Sequence, residues 1–451
     1  MKEHIFRAYD IRGIYGDEIN LDLTYKIGRA FGTKLINEKK YITIVGYDNR
    51  MSSIDIFESL SKGITDSGVD VINIGLVTTP MYYYALYMFN ATSGIMITAS
   101  HNPKEYNGFK ISFNGKYNAF GEQIQEFKEL IKSEDFKIGK GNIINQNIKD
   151  RYVSFTLGSI RLGQRKLKVV VDAGNGTSAV VMDDIFEKLD IDYIPLFNES
   201  DPNFPNHHPD PSVRENTKHL SETVIREKAD IGFAYDGDAD RIGLVDEKGE
   251  LIPIDKFMIV ILHHLFDKLD DKRILYDIKC SKALEDEIDR LGGIKVCYRT
   301  GNSYLRAKIL MDKIQFGGEL AGHVYFNDKF PGYDDGIYAS LRMLEILSNT
   351  DKTMSELLKD IPKYYSTDEI KVPIEEERKE YLISELIKYC NENNYNYLDI
   401  DGCKVIFEDG FALVRPSNTG PNLTLRFEGK TEDRLNEIQK EFEDKIKEIL
   451  K

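Results

Sequence analysis

The stretch Ile231-Gly232-Phe233-Ala234-Tyr235-Asp236-Gly237-Asp238-Ala239-Asp240-Arg241 runs from an apolar, strand-like segment directly into three carboxylates at alternate positions. In an extended loop that spacing can turn Asp236, Asp238 and Asp240 toward one point. Hard oxygen ligands of this kind suit Mg²⁺, which keeps further positions for water or phosphate oxygens. Gly237 and Ala239 are small enough to let the backbone wrap. An EF-hand would need a glycine and a bidentate glutamate downstream at fixed offsets, and this sequence does not supply them. A solvated acidic turn is the bland alternative. Arg241, beside the cluster, can hold a phosphate or carboxylate in a fork of hydrogen bonds.

Working outward, the same outline recurs three times. Apolar strands Ile42-Thr43-Ile44-Val45-Gly46, Val169-Val170-Val171 and Ile274-Leu275-Tyr276 stand before Asp48, Asp172 and Asp277. Each is followed by a helical stretch and a second strand that ends in a polar loop: Gly94 to Ile97 before Ser100, Ile231 to Ala234 before Asp236, and Ile314-Gln315-Phe316 before Gly318-Glu319. Strands alternating with helical patterns predict βαβ units, and function in such sheets collects at the carboxyl ends of strands. The repeat therefore predicts three similar α/β domains with mixed sheets, over residues 1–148, 149–252 and 253–365. The last part, 366–451, reads differently. A charged helix opens near Ile374, strands follow at Lys404–Phe407, Phe411–Val414 and Leu423–Phe427, and a charged helix closes the chain from about Thr431. That pattern predicts a smaller α+β domain on an antiparallel sheet.

A chain of 451 residues agrees with three or four domains at about 150 residues each. Its net charge of -15 is spread along the chain, which argues against a general nucleic-acid surface, so an anionic substrate needs a locally basic pocket. The cysteines Cys280, Cys297, Cys390 and Cys403 have neither zinc-site spacing nor the density of a disulfide scaffold, and reduced cytosolic thiols are expected. No apolar run approaches the ~20 residues of a membrane span, and the start lacks a signal-peptide core. The expectation is a cytoplasmic protein with no membrane or nucleic-acid partner.

Three further loops carry chemistry. Thr98-Ala99-Ser100-His101-Asn102-Pro103 presents a hydroxyl at a strand end, where it can serve as a nucleophile or phosphate carrier, although Ser and Asn also form ordinary turns. Arg415-Pro416-Ser417-Asn418-Thr419-Gly420-Pro421-Asn422 combines a cation, hydroxyls and an amide between two strands. Such a loop can surround a phosphate, and Arg426 adds a cation nearby. Gly317-Gly318-Glu319-Leu320-Ala321-Gly322-His323 offers a carboxylate for sugar hydroxyls and an imidazole able to titrate near neutrality; a hydrogen-bonded structural histidine is the alternative.

In this order the loops resemble the α-D-phosphohexomutase superfamily, most closely its phosphomannomutase/phosphoglucomutase branch. The likeness runs essentially the whole chain and includes Ile5-Phe6-Arg7-Ala8-Tyr9-Asp10-Ile11-Arg12-Gly13 and Tyr106-Asn107-Gly108-Phe109-Lys110. It implies a four-domain, heart-shaped enzyme with a central cleft, which moves a phosphoryl group between O1 and O6 of mannose or glucose phosphates. A phosphoserine at Ser100 would act through a hexose 1,6-bisphosphate. By the same resemblance Ser100, Asp236, Asp238 and Asp240 would hold Mg²⁺. Arg12, His101, Lys110, Arg241 and His323 would serve catalysis, with Lys110 or His323 as the general base. Tyr9, Lys279, Glu319, Arg415, Ser417, Asn418 and Thr419 would bind substrate. A monomer would suffice, since every group comes from one chain.

This chain departs from the family pattern at three places. Ala239 stands where glycine is usual, Ala321 where serine is common, and Asn302, in Thr300-Gly301-Asn302-Ser303, where histidine is frequent. The competing readings are a phosphoglucosamine mutase and a non-catalytic sugar-phosphate sensor. A serine hydrolase is disfavoured because no Gly-x-Ser-x-Gly elbow surrounds Ser100.

Overall fold

The computed structural model describes residues 1–417 and 421–451. Its first sheet contains β1 (Ile11–Ile14), β2 (Ile42–Tyr47), β3 (Asp70–Leu76), β4 (Gly94–Ile97), β5 (Tyr106–Ser112) and β6 (Ile143–Asn145), in the spatial order β1-β5-β4-β2-β3-β6. The second holds β7 (Lys168–Asp172), β8 (Asp192–Leu196), β9 (Ile231–Tyr235), β10 (Ile242–Asp246) and β11 (Leu251–Ile252), ordered β11-β10-β9-β7-β8. The third holds β12 (Arg273–Asp277), β13 (Ile294–Tyr298), β14 (Phe316–Gly318) and β15 (Val324–Phe326), ordered β13-β12-β14-β15. The expected strand at Ile314–Phe316 is thus displaced two residues toward the glycines.

All three sheets share one device. A parallel pair, β2 with β4, β7 with β9, or β12 with β14, is followed by an antiparallel partner, β5, β10 or β15. The turn that reverses the chain is in each case the polar loop singled out above: Ser100, the aspartate triplet, or Glu319. The sheets are mixed because these hairpins need only a short connection, whereas parallel neighbours need a helical crossover.

The fourth sheet is antiparallel throughout. It contains β16 (Tyr365–Ser366), β17 (Ile370–Pro373), β18 (Asn396–Leu398), β19 (Cys403–Phe407), β20 (Gly410–Pro416) and β21 (Asn422–Gly429), and helices Glu376–Glu392 and Glu432–Leu450 cover it. The last helix is capped by Thr431, whose hydroxyl accepts from the Arg434 N–H, and it buries Ile438, Phe442 and Ile446 on one stripe.

One apolar core runs through the first three domains, from Met81 to Leu86 through Val169, Phe233 and Phe257 to Phe316 and Leu341. Helix Thr79–Met88 is buried nearly all round, so it acts as a wedge between sheets and not as a surface cover. The C-terminal domain keeps its own core around Leu382, Val405, Val414 and Phe442. Among the described residues no helix is long and apolar enough to cross a membrane.

Behind the first sheet, helices Leu21–Asn37 and Ser53–Thr65 cross in backbone contact at Gly28 and Gly63. A Cβ on Gly28 would collide with the Leu60 carbonyl oxygen, and one on Gly63 with the Tyr25 carbonyl oxygen. Backbone cannot yield as a side-chain tip can. Gly28→Ala is therefore expected to cost about 2–3 kcal/mol, read as a lower first unfolding transition by calorimetry; an unchanged transition would show that the helices can separate freely.

Candidate active site

Ser100 sits at the carboxyl end of β4 with φ +51°, in the left-handed region that few non-glycine residues adopt. Its N–H donates to Thr98 Oγ1 at 2.8 Å, and its Oγ donates to Asp236 Oδ2 at 2.7 Å. His101 Nδ1 lies 3.3 Å from the same hydroxyl. Burial, reinforced by the cations of Arg241 and Arg12, pushes the His101 imidazole well below the ordinary histidine pKa and keeps it neutral.

The three aspartates are fully buried, and their carboxylate oxygens lie within 4.8 Å of one another. Lys110, from β5 of the first sheet, places Nζ 2.7 Å from Asp238 Oδ2 and 2.5 Å from Asp240 Oδ2. Thr79 Oγ1 donates to Asp238 Oδ2 at 2.6 Å, and Thr98 Oγ1 to the same oxygen at 3.2 Å. Burial alone would raise the Asp238 carboxyl, but the Lys110 ammonium outweighs it and holds Asp238 below the usual carboxylate range. Asp236 is pushed well up by burial and by its two acidic neighbours. Lys110 loses by burial and gains more from Asp238 and Asp240, so it stays a firm cation.

The acceptor-only chemistry of this set suits a hard divalent cation. Asp238 Oδ1 and Asp240 Oδ1 are buried with no hydrogen-bond partner among the described residues, which leaves lone pairs for such an ion.

Ala239 has φ +62° and is fully buried. The left-handed backbone explains why glycine is the usual choice there. An alanine pays about 1–2 kcal/mol for that conformation, of which a buried methyl returns roughly 0.8 kcal/mol, and the three carboxylates still lie within 4.8 Å of one another.

The remaining candidates converge on the same region. Arg12 donates to Asn102 Oδ1 at 2.6 Å and to Asp10 Oδ2 at 2.7 Å. Arg241 uses its backbone N–H on Asp236 Oδ1 at 3.1 Å and its Nε on His323 Nε2 at 3.0 Å. Because a guanidinium can only donate, His323 Nε2 carries the lone pair, and Nδ1–H then donates to Asp334 Oδ2 at 2.8 Å. Asn302 Nδ2 also bonds Asp334 and lies 3.0 Å from His323 Nδ1, so the departure at 302 touches the support of the histidine. Glu319 is buried, its Oε2 has no partner among the described residues, and burial with Asp277 nearby raises its pKa. Tyr9 packs edge-on against Tyr304 at 6.0 Å.

Lys279 and Arg415 are each held by a carboxylate across or within the C-terminal domain, Lys279 by Glu369 at 2.9 Å and Arg415 by Asp401 at 3.0 Å. Ser417 is buried at the end of β20, its N–H donating to the Asn422 carbonyl at 2.9 Å. Asn418 and Thr419 lie outside the described residues. Arg426 is buried and donates from Nη1 to the Lys279 carbonyl at 2.6 Å, across the seam between the third and fourth domains.

Residues 3–138, 150–249 and 253–365 match, in order, phosphoglucomutase/phosphomannomutase alpha/beta/alpha domains I, II and III, and residues 369–445 match the C-terminal domain of the same family. The chain belongs to the phosphoglucomutase/phosphomannomutase family. It is 39% identical over 442 residues to the phosphomannomutase/phosphoglucomutase of Pseudomonas putida, covering 98% of this chain and 95% of that one. To the phosphoglucomutase of Neisseria gonorrhoeae it is 38% identical, covering 97% and 95%. A crystal structure of a phosphoglucomutase/phosphomannomutase family protein from Burkholderia thailandensis superimposes with a TM-score of 0.93 at 35% identity, over 100% of this chain and 98% of that one.

In this family member several site groups carried no sequence signal of their own. Thr79, Asp334 and Arg50 reach the site from elements far away in the chain. The one available hint was position: Asp48 and Arg50 follow β2, a parallel strand next to β4, at the same sheet end as Ser100.

The equivalent strand-end aspartate of the second domain, Asp172, accepts from Gly174 N–H at 2.7 Å and lies 3.0 Å from His207 Nε2. Burial lowers the His207 cation, but the hydrogen bond and charge of Asp172 outweigh it, and its pKa stands above the ordinary value. A raised folded-state pKa adds stability that is complete below the unfolded value of about 6.5 and is lost as pH rises through the folded one. From about pH 6 to about pH 9 the protein should therefore lose more thermal stability than His207→Gln. Parallel melting profiles would remove this pair from the pH response.

Proposed function

We propose that this chain is a phosphohexomutase that transfers a phosphoryl group reversibly between O1 and O6 of glucose and mannose phosphates, through phosphorylated Ser100 and a hexose 1,6-bisphosphate. The observation that carries the reading is the Ser100 Oγ bonded to Asp236 inside a buried triad of carboxylates and Lys110. A binding protein has no use for a hydroxyl set in left-handed backbone among three aspartates.

Asp236, Asp238 and Asp240, with Ser100, would hold Mg²⁺, which neutralises oxygen charge on a phosphoryl group when bound. Arg12 and Arg241 add fixed positive charge near Ser100, and Lys110 fixes the positions of Asp238 and Asp240. Phosphoryl transfer depends mainly on such positioning and charge neutralisation. Of the two candidate bases, Lys110 is held as an ammonium by two carboxylates, and the His323 Nε2 lone pair accepts from Arg241; His323 would take the proton of the attacking hydroxyl only once a bound phosphoryl group has drawn the Arg241 guanidinium away. Glu319 would receive sugar hydroxyls, Lys279 and Tyr9 would line the cleft, and Arg415 with Ser417, Asn418 and Thr419 would take the non-reacting phosphate. One phosphate pocket and one reactive serine serve both ends of the sugar once the bisphosphate has turned round.

Steady-state assays on glucose 1-phosphate, mannose 1-phosphate and glucosamine 1-phosphate test the reaction directly. The two hexose phosphates are expected to isomerise, and Ser100→Ala to lose on the order of 10³-fold or more in kcat. Strong preference for the amino sugar, or tight binding of all three with no turnover, would overturn the assignment. The metal has a readout of its own. Saturating Mg²⁺ at about 100 times Kd should add about 2.7 kcal/mol to stability, visible as a higher melting temperature, and Asp238→Asn should abolish most of that rise.

A further inference from the structure

Arg50 takes no part in the chemistry above, yet all five of its side-chain N–H groups are engaged. Nε donates to Asp48 Oδ2 at 3.2 Å. Nη1 donates to the carbonyls of Pro103 at 2.6 Å and Tyr106 at 3.1 Å, and Nη2 to those of Ser100 at 2.8 Å and Asn102 at 2.6 Å. Three of these carbonyls belong to the loop between β4 and β5, one of them Ser100's own, and the fourth, Tyr106, opens β5. Asp48 completes the unit by accepting from Arg50 N–H and from Ser53 Oγ at 2.6 Å.

The unit also grips the second domain. Asn49 Nδ2 donates to the Asn175 carbonyl at 2.8 Å, and the Arg50 guanidinium lies 5.7 Å from the centre of the Phe204 ring. Asn175 follows β7, beside the strand that delivers the aspartate triplet, and the next residues return to that loop: Thr177 N–H donates to the Gly237 carbonyl at 2.9 Å. One short segment, Asp48-Asn49-Arg50, thereby touches the serine loop of one domain and the support of the acidic loop of the next.

We propose that Arg50 is the positioning residue for Ser100: its guanidinium, oriented by Asp48, gathers the carbonyls of Ser100, Asn102, Pro103 and Tyr106 and so presets the left-handed backbone that aims Oγ at Asp236. The charge of Arg50 is spent on Asp48, so its contribution is geometric. Lysine keeps the charge but has three donors on a flexible stem and no planar fork, and it cannot fill this role. The inference rests on Ser100 being the phosphoryl carrier proposed above.

The test compares wild type, Arg50→Lys, Arg50→Ala and Ser100→Ala in single-turnover transfer from glucose 1,6-bisphosphate, followed by intact mass, and in steady-state isomerisation. Both Arg50 variants are expected to slow transfer about 10²-fold, while KM for the hexose phosphate stays within about threefold because the phosphate loop is untouched. Guanidinium ion at tens of millimolar, well below denaturing concentrations, should restore much of the loss in Arg50→Ala and none in Ser100→Ala, with melting temperatures unmoved. Transfer at the wild-type rate in Arg50→Lys, or a loss in kcat and KM together that guanidinium leaves untouched, would overturn the proposal. Amide hydrogen exchange without substrate decides the clamp independently of catalysis. Protection across residues 98–106 must fall in both variants, and unchanged protection there would refute it. Should wild type itself take up no phosphoryl group, the proposed function fails, and the exchange data still judge Arg50.

Discussion

Everything at the centre of this molecule depends on a charge cluster that neither of the first two domains can complete alone. From the first sheet Lys110 reaches between Asp238 and Asp240 of the second, and Thr79 and Thr98 join it on the same Asp238 oxygen. Removing one partner of a buried ion pair typically costs about 3–5 kcal/mol, because the other charge is stranded. The docking of the two domains is therefore coupled to the integrity of the site. The wedge helix Thr79–Met88 makes the coupling physical. Its first residue binds Asp238 through both its hydroxyl and its N–H, and its buried face joins the common core.

The repeat gives this coupling its geometry. A parallel strand followed by an antiparallel partner places a tight polar turn at the same sheet end three times, and the aspartate closing the neighbouring strand then supports a different turn in each domain. Asp48 orients Arg50, Asp172 takes the Gly174 N–H and His207, and Asp277 takes the Leu320 N–H at 3.0 Å and the Thr300 hydroxyl at 3.1 Å. A common scaffold has been specialised by side chains at one register position, which is why loops of unrelated composition meet in one place.

Much of this was legible in residue types. Apolar runs of strand length, each ending in Asp and a polar loop, marked the parallel strands within a few residues, and the alternate aspartates marked a buried carboxylate cluster of a kind suited to a metal ion. The β14 strand was displaced because Gly317 and Gly318 read as loop residues, although the parallel register with Leu275 and Tyr276 draws them into the sheet. Arg50 escaped notice for a different reason. Its partners are backbone carbonyls, which every sequence has, so no residue pattern announces them. Asp334 was hidden because its contact with His323 bridges a turn whose shape the sequence does not encode locally. Ala239 shows the limit of reading a departure from family pattern by side-chain size alone; its backbone conformation, with φ +62°, is what glycine ordinarily supplies.

The fourth domain obeys a different constraint. Its main core is separate, and its seam with the third domain joins a small apolar patch, Ile278 against Phe411 and Leu413, to polar contacts: Lys282 N–H to Glu428, Lys404 to Glu285, Arg426 to the Lys279 carbonyl, and Thr300 N–H to Asp401. A seam with so small an apolar patch holds domains in register while leaving more freedom for relative motion than the continuous apolar core that unites the first three. Two of the seam's carboxylates, Glu369 and Asp401, also hold Lys279 and Arg415. In a chain with a net charge of -15, such pairing keeps cleft cations from being scattered among surface acids. On the proposed function, an incoming phosphate would meet guanidinium and ammonium groups already oriented, and it would compete with Glu369 and Asp401 for them. In that reaction the ion pairs that orient the cations would also couple anion binding to the position of the fourth domain, as a bisphosphate that must be held at one end, released enough to turn, and held again at the other would require.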